Sequence, residues 1–452
     1  MLTKSKFCYD AQISDKVCLI LGIGGVSMSS IALLLLDMGY RVSGYDERHG
    51  KYTDLVEGQG IKVVYGDEIP SLSEVGLVVY TAAIKEDNPI ITLAKKKNIP
   101  CVVRAPFLGE LMKCYKTRIG VSGTHGKSTT TGMISEIHLA ANTDPTIMIG
   151  ADLPSINSGL KIGGKSSFIF EACEYKDSFL SFAPTISVVL NVELDHTDYF
   201  LSLDQMKHSY TEFMSISDMA VVCADNENAV ESSQKYGGEA FYYSVKDENA
   251  DFFAKNIKLV KGFAEFDAYV NQKLLAHIKL SVPGEFQVSN ALAAIGASYL
   301  SGIDADSIKR GLEAFRGVGR RFQYRGEYNG AQIFDDYAHH PDEIRATLST
   351  ARLLEKSRVF VVYQPHTYSR THDLFHAFAA SFKDCYEVIF ADIYAAREKN
   401  TYGISSKNLA DAVENGKYVG GFEEIADYVR RTLREDDLLI IMGAGDIINL
   451  NI

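Results

Sequence analysis

Apolar residues along this chain fall into short runs, separated by polar stretches rich in glycine and by segments whose apolar positions recur with helical spacing. The run KVCLILGIGG at 16–25 predicts a strand ending in glycines. SMSSIALLLLDMG at 27–39 predicts a helix, and RVSGYD at 41–46 the next strand. The pattern restarts at TRIGVSG (117–123), a strand feeding the glycine turn GVSGTHGKSTTTGM, with a helix from about Ser128. Strands follow at SSFIFEA, TISVVLN and MAVVCAD, then alternating stretches over 252–282 that predict antiparallel strands, and a helix at NALAAIGASYL. After the polar junction GVGRRFQYRG, strands at AQIFDD, RVFVVY, EVIFAD and DLLIIMG alternate with helices such as PDEIRATLSTARLL. Strands alternating with helices predict open, mostly parallel α/β sheets, which bind ligands at the carboxyl ends of their strands. Three domains are expected, at 1–115, 116–316 and 317–452.

Composition narrows the function classes. A net charge of −12 argues against a nucleic-acid partner, which would call for a basic footprint. The longest apolar run, IALLLL at 31–36, is far short of a membrane span. The seven cysteines (8, 18, 101, 114, 173, 223 and 385) are scattered and form no C-x-x-C pair, the usage of reduced thiols. A cytoplasmic enzyme with small-molecule substrates is the expectation, as a monomer or weak homodimer.

The chemistry concentrates in four places. In the turn at 120–133, Gly123 and Gly126 free the backbone amides to face a phosphate, at a helix N-terminus that favours anions. Lys127 can neutralise phosphate charge and the Ser128 hydroxyl can reach Mg²⁺. The spacing is not that of G-x-x-x-x-G-K-[ST], because Val121 stands where the first glycine belongs. Near the N-terminus, Gly22, Gly24 and Gly25 with Asp46 ending the next strand resemble a dinucleotide loop. Glu171 ends a strand, and His196 follows another among Glu193, Asp195 and Asp198; a hydroxyl, a carboxylate and a histidine could hold Mg²⁺ against phosphate. In the last block Asp335, Asp336, His339 and His340 follow one strand and His366 and Arg370 the next, where arginine could clamp a carboxylate.

These residues resemble the Mur ligases, which build the peptide of bacterial cell-wall precursors. The resemblance spans essentially the whole chain through GIGGVSMSSIA, VVYTAAIKEDNP, GTHGKSTTT, EACEYKDSFL, DHTDYF, GVGRRFQ, DDYAHHP, QPHTYSRT, DIYAAREK and MGAGDI. It implies three α/β domains: a Rossmann-like one for the UDP substrate, a P-loop-type ATPase domain with an antiparallel portion, and a Rossmann-like one for the amino acid. Family members use the shorter glycine spacing for ATP. They phosphorylate a substrate carboxylate, and an amine then attacks the acyl phosphate. The motifs look like those of members joining L-alanine to UDP-N-acetylmuramate in peptidoglycan synthesis, with ATP and Mg²⁺.

Carried over by motif, Gly123, Thr124, His125, Gly126, Lys127, Ser128, Thr129, Asn290, Arg321 and Asp336 are expected at ATP. Gly22, Gly24, Gly25, Asp46 and Thr81 are expected at the UDP substrate, and Tyr337, His366 and Arg370 at the amino acid. Ser128, Glu171 and His196 are the expected metal ligands, and Lys127, Glu171, His196 and His339 the expected catalytic set. Two departures stand out. Phe286 and Gln287 replace a family His-Asn pair, and HSYTEF at 208–213 lacks the lysine that other members carbamylate there. Alternatives are a ligase attaching a recycled tripeptide to the same sugar nucleotide, a nicotinamide-dependent oxidoreductase, and an ATP-driven binding module.

Overall fold

The computed structural model describes residues 8–81, 83–196, 199–396 and 398–452. Its first sheet has strands β1 (Val17–Leu21), β2 (Arg41–Asp46), β3 (Lys62–Tyr65), β4 (Val75–Tyr80) and β5 (Cys101–Val103), all parallel, in the order 3-2-1-4-5. β4 is buried along its whole length and β1 along all but its first residue, because helices cover both faces of a parallel sheet. The strand order reverses between β1 and β4, so the turns after these two strands flank the crevice where such sheets take ligands.

The second sheet runs 15-14-13-12-11-10-6-9-7-8. It contains β6 (Thr117–Ser122), β7 (Thr146–Leu153), β8 (Ser158–Lys161), β9 (Ser167–Glu171), β10 (Ile186–Val189), β11 (Met219–Cys223), β12 (Glu239–Ser244), β13 (Phe252–Val260), β14 (Phe263–Val270) and β15 (Lys273–Pro283). β6 lies between β9 and β10, parallel to both. β13 to β15 are joined by the two-residue turns Lys261–Gly262 and Asn271–Gln272, all four residues with positive φ. That is the type I′ pattern, which joins antiparallel strands, so the expected antiparallel portion is present. The sequence reading did not foresee the β7–β8 hairpin.

The third sheet has β16 (Gln323–Tyr328), β17 (Ala331–Asp336), β18 (Arg358–Tyr363), β19 (Glu387–Phe390), β20 (Gly416–Tyr418) and β21 (Asp437–Met442), in the order 16-17-21-18-19-20. Only β16 pairs antiparallel. β17, β18 and β21 lie side by side, so the turns that follow them share one edge.

By packing, the chain divides into two compact units. One holds residues up to Asn256 with Asp267–Ile278 and Val288–Ala314; the other holds Ile257–Phe266, Lys279–Gln287 and Phe315–Ile452. The first unit contains the first sheet and most of the second, because their cores merge. Phe107, Leu108, Leu111 and Met112, from helix Arg104–Met112, belong to one apolar cluster with Phe170, Phe179, Phe182 and Phe213. Gly109 makes that approach possible, since a Cβ there would stand 1.9 Å from the carbonyl oxygen of Ser181. Within the same unit, a Cβ on Gly311 would come within 2.3 Å of the Ile137 Cα, so helix Ala305–Ala314 presses on helix Lys127–Ala140.

Candidate active site

β6 ends at Ser122, and the chain turns through residues 123–126 into helix Lys127–Ala140. Gly123 has φ +145° and Gly126 has φ +88° as the helix N-cap. A Cβ on Gly126 would lie 2.9 Å from Asn290 Oδ1, so both conformation and space demand glycine. The stretch after β10 zips the turn in place. Asn191 Oδ1 accepts from the His125 amide at 2.8 Å, and its Nδ2 donates to the His125 carbonyl at 3.0 Å. Thr124 Oγ1 donates to the Glu193 carbonyl and accepts from the Glu193 amide, both at 3.0 Å. Ser128 and Thr129 are half-buried in the first helical turn, and Thr130 Oγ1 donates to Asn290 Oδ1 at 3.4 Å.

Lys127 Nζ folds back over the turn. It donates to the carbonyls of Gly123 and Thr124 and, at 3.1 Å, to Glu174 Oε1. His196 Nε2 lies 3.7 Å from the same carboxylate oxygen. The structure therefore brings Lys127 and His196 together through Glu174, a residue the sequence reading passed over. The Glu174 side chain is wholly buried, and its Oε2 has no hydrogen-bond partner among the described residues. Burial would push this carboxyl up, but the imidazole of His196 beside it and the charge of Lys127 bring it below the usual range. His196 is raised, chiefly by the Glu174 carboxylate beside it.

Glu171 ends β9 beside the last residues of β6, and its Oε1 accepts from the Gly150 amide at 2.8 Å. Asp198 lies outside the described residues, as does Arg397 of the DIYAAREK motif.

The N-terminal glycine turn gathers its expected residues. Gly22 has φ +77°, and a Cβ there would stand 2.9 Å from Thr81 Cγ2. The Gly24 amide donates to Asp46 Oδ2 at 2.8 Å, and Gly25 caps helix Val26–Asp37 in an extended conformation. Arg104 was not foreseen here: its Nη1 donates to Ser27 Oγ at 3.0 Å. No carboxylate lies within salt-bridge distance of Arg104 among the described residues. Burial lowers its pKa.

In the second unit, Asp336 is buried and accepts from the amides of Phe322 and Ala338, both at 2.8 Å, and from Thr347 Oγ1 at 3.1 Å. Its carboxylate thus organises the turn after β17, and burial raises its pKa. Arg321 lies 5.3 Å over the Tyr337 ring and Arg320 4.8 Å over it. The rings of His339 and His366 are 6.0 Å apart, and His366 stacks on Tyr394 at 5.6 Å. Arg370 Nη1 lies 3.4 Å from His366 Nδ1. Burial lowers the pKa of both histidines, which keeps them neutral near pH 7, beside the Arg370 cation. Gln287 is buried while Phe286 is 54% exposed.

Three profiles match the chain: "Mur ligase family, catalytic domain" over residues 19–116, "Mur ligase middle domain" over 121–298 and "Mur ligase, glutamate ligase domain" over 320–445. The chain is 43% identical to a UDP-N-acetylmuramate–L-alanine ligase of Acetivibrio thermocellus, over 94% of this chain and 93% of that one. It is 44% identical to the enzyme of the same name from Agathobacter rectalis, over 95% of each. Its fold matches the crystal structure of a UDP-N-acetylmuramate–alanine ligase from Thermotoga maritima with a TM-score of 0.79, at 26% identity over 96% and 97% of the two chains.

Proposed function

The chain belongs to the Mur ligase family, and from that premise we propose how its own residues carry the reaction. It is an ATP-dependent ligase that joins L-alanine to the carboxylate of UDP-N-acetylmuramate in peptidoglycan synthesis. A carboxylate oxygen of the sugar substrate attacks the γ-phosphorus, the bond to ADP breaks, and ADP leaves. The alanine nitrogen then attacks the acyl carbon, the bond to phosphate breaks, and inorganic phosphate leaves. The nitrogen gives up its proton. Neither step calls for covalent chemistry by the protein, so position and charge carry the catalysis.

The observation that carries this reading is the turn at 123–126 with Lys127 at the head of its helix. The start of that helix and the Lys127 ammonium would meet the phosphate chain of ATP, with Thr124, His125, Ser128, Thr129 and Asn290 around it. Ser128, Glu171 and His196 are the residues that would hold Mg²⁺. A hydroxyl and a carboxylate suit that ion; Ser128 opens the helix that follows β6, and Glu171 ends the strand paired with β6, so the chemistry of the donor set fits. When bound, the ion offsets phosphate charge.

The UDP diphosphate belongs on the N-terminus of helix Val26–Asp37, over Gly22, Gly24 and Gly25, with Thr81 beside it. Arg104 supplies a cation there, and Asp46 fixes the turn through Gly24 while lying near the ribose. In the other unit, Arg370 grips the alanine carboxylate with its planar fork, beside His366 and Tyr337. His339, Arg321 and the turn ordered by Asp336 serve the phosphate side.

No described helix is long and apolar enough to cross a membrane, and a cytoplasmic place suits the nucleotide substrates. The test is mass analysis of the product formed from ATP, UDP-N-acetylmuramate, mixed amino acids and a cell-wall tripeptide. UDP-N-acetylmuramoyl-L-alanine is expected; preferential attachment of the tripeptide would overturn the reading.

A further inference from the structure

Lys127 is satisfied within the protein, with two loop carbonyls and one carboxylate taking its three donors. A lysine that must meet phosphate needs its stem aimed and its charge kept, and Glu174 is built to do both. Its side chain is wholly buried, so the pair sits where charge interactions are little screened.

The backbone that carries Glu174 is held at strain. Lys176 and Asp177, two and three residues on, both have φ +53°, and His196 has φ +52°, in the left-handed region that favours glycine. The two segments are tied to each other. Tyr199 Oη donates to Asp177 Oδ2 at 2.5 Å, Ser209 Oγ donates to the other oxygen of Asp177, and the rings of Tyr175 and His196 lie 4.8 Å apart. The ties hold the carboxylate between the ammonium and the imidazole.

We infer that Glu174 is a positioning residue for the phosphoryl transfer, acting through Lys127: its charge tethers the ammonium at the mouth of the turn. This inference rests on the ATP reading of that turn. In the resting protein the tether competes with phosphate for the ammonium. During transfer it keeps the ammonium in register with the phosphoryl oxygens rather than free to follow any phosphate. Taking away the charge while keeping the shape should therefore separate binding from turnover. The loop gains net positive charge and binds nucleotide at least as well, whereas the reacting geometry loosens.

The experiment compares wild-type protein with Glu174→Gln by titration with a non-hydrolysable ATP analogue, by kcat and by thermal unfolding. The expected result is analogue affinity equal to or tighter than wild type, a lower Tm, because a buried ammonium loses its counter-charge, and a kcat lower by at least about tenfold in the protein that remains folded. Glu174→Asp, which keeps the charge one methylene short, should recover part of the lost kcat. A kcat within about threefold of wild type would overturn the inference, as would analogue affinity falling in step with kcat, the mark of a merely structural role. Absence of alanylated product from the wild-type chain would overturn the functional reading instead. A wild type that ligates beside an equally active Glu174→Gln variant would overturn this inference alone.

Discussion

The first unit contains two glycine turns that leave a central parallel strand and enter a helix, and they solve the same problem differently. The turn after β6 carries its own cation, because Lys127 is the first residue of the helix it opens. The turn after β1 carries none, and a cation beside it, Arg104, comes from the start of another helix. The first is braced from outside by Asn191 and Glu193 of a neighbouring strand end. The second is braced by Asp46, whose carboxylate fills the space beside Gly24. A turn with a built-in cation suits a phosphate whose charge changes during reaction, since that cation stays fixed to the backbone presenting the amides. A turn with a lent cation suits a diphosphate that is only held.

Breaking this contrast begins with the largest effect. Lys127→Ala should lower turnover by at least about 100-fold, because phosphoryl transfer rests on such charges. Near-normal ligation by a folded variant would remove the distinction between the turns. Next comes Gly24→Ala, whose new Cβ would fall 2.9 Å from Asp46 Oδ2. It should raise the KM for the UDP substrate by about tenfold or more and leave the KM for ATP within about twofold, since it disturbs only one of two binding sites. A variant that lost ATP instead would mean the turns have been assigned the wrong nucleotides.

Arg104→Gln sharpens the comparison at a smaller scale. Losing one charge-assisted contact should weaken binding of UDP itself by about tenfold, read by calorimetry. If UDP binds normally and only the complete substrate is weakened, the arginine serves the sugar's carboxylate rather than the diphosphate. The smallest effect belongs to Asn191→Ala. Removing the two bonds to His125 should cost about 1 kcal/mol of stability and raise the KM for ATP a few-fold; an unchanged Tm and KM would show that the turn holds its shape without the brace.

The periodicity of the sequence made the three sheets legible, because buried parallel strands read as continuous apolar runs and the helices between them cap and stop by local rules. It made the β13–β15 meander legible through alternation. The β7–β8 hairpin escaped it, because β7 mixes buried and exposed positions without a clear period and β8 is half-buried throughout. At the candidate site, motif spacing singled out Gly123, Gly126, Lys127 and His196, and the structure sets them in the strand-to-helix turn or after a strand end. Glu174 was hidden inside the same motif as Glu171. The two carboxylates are three residues apart, one ending β9 and one in the loop after it, and nothing in the sequence separates the one facing Gly150 from the one facing Lys127. Arg104 was hidden for another reason. It lies 77 residues from Ser27 in sequence, and no local pattern points across that distance.

Helix Arg104–Met112 touches the N-terminal glycine turn with its first residue, and five residues later Gly109 rests against the Ser181 carbonyl, at the end of the segment that begins just after Glu174. Five residues of helix measure about 7 Å. A straight rod of fixed length thus works as a gauge block between the N-terminal glycine turn and the segment that follows Glu174. Bulk added at Gly109 would shim that gauge. An alanine there, far in sequence from either glycine turn, would be felt as a mismatch in spacing between the two rather than as the loss of any contact with either.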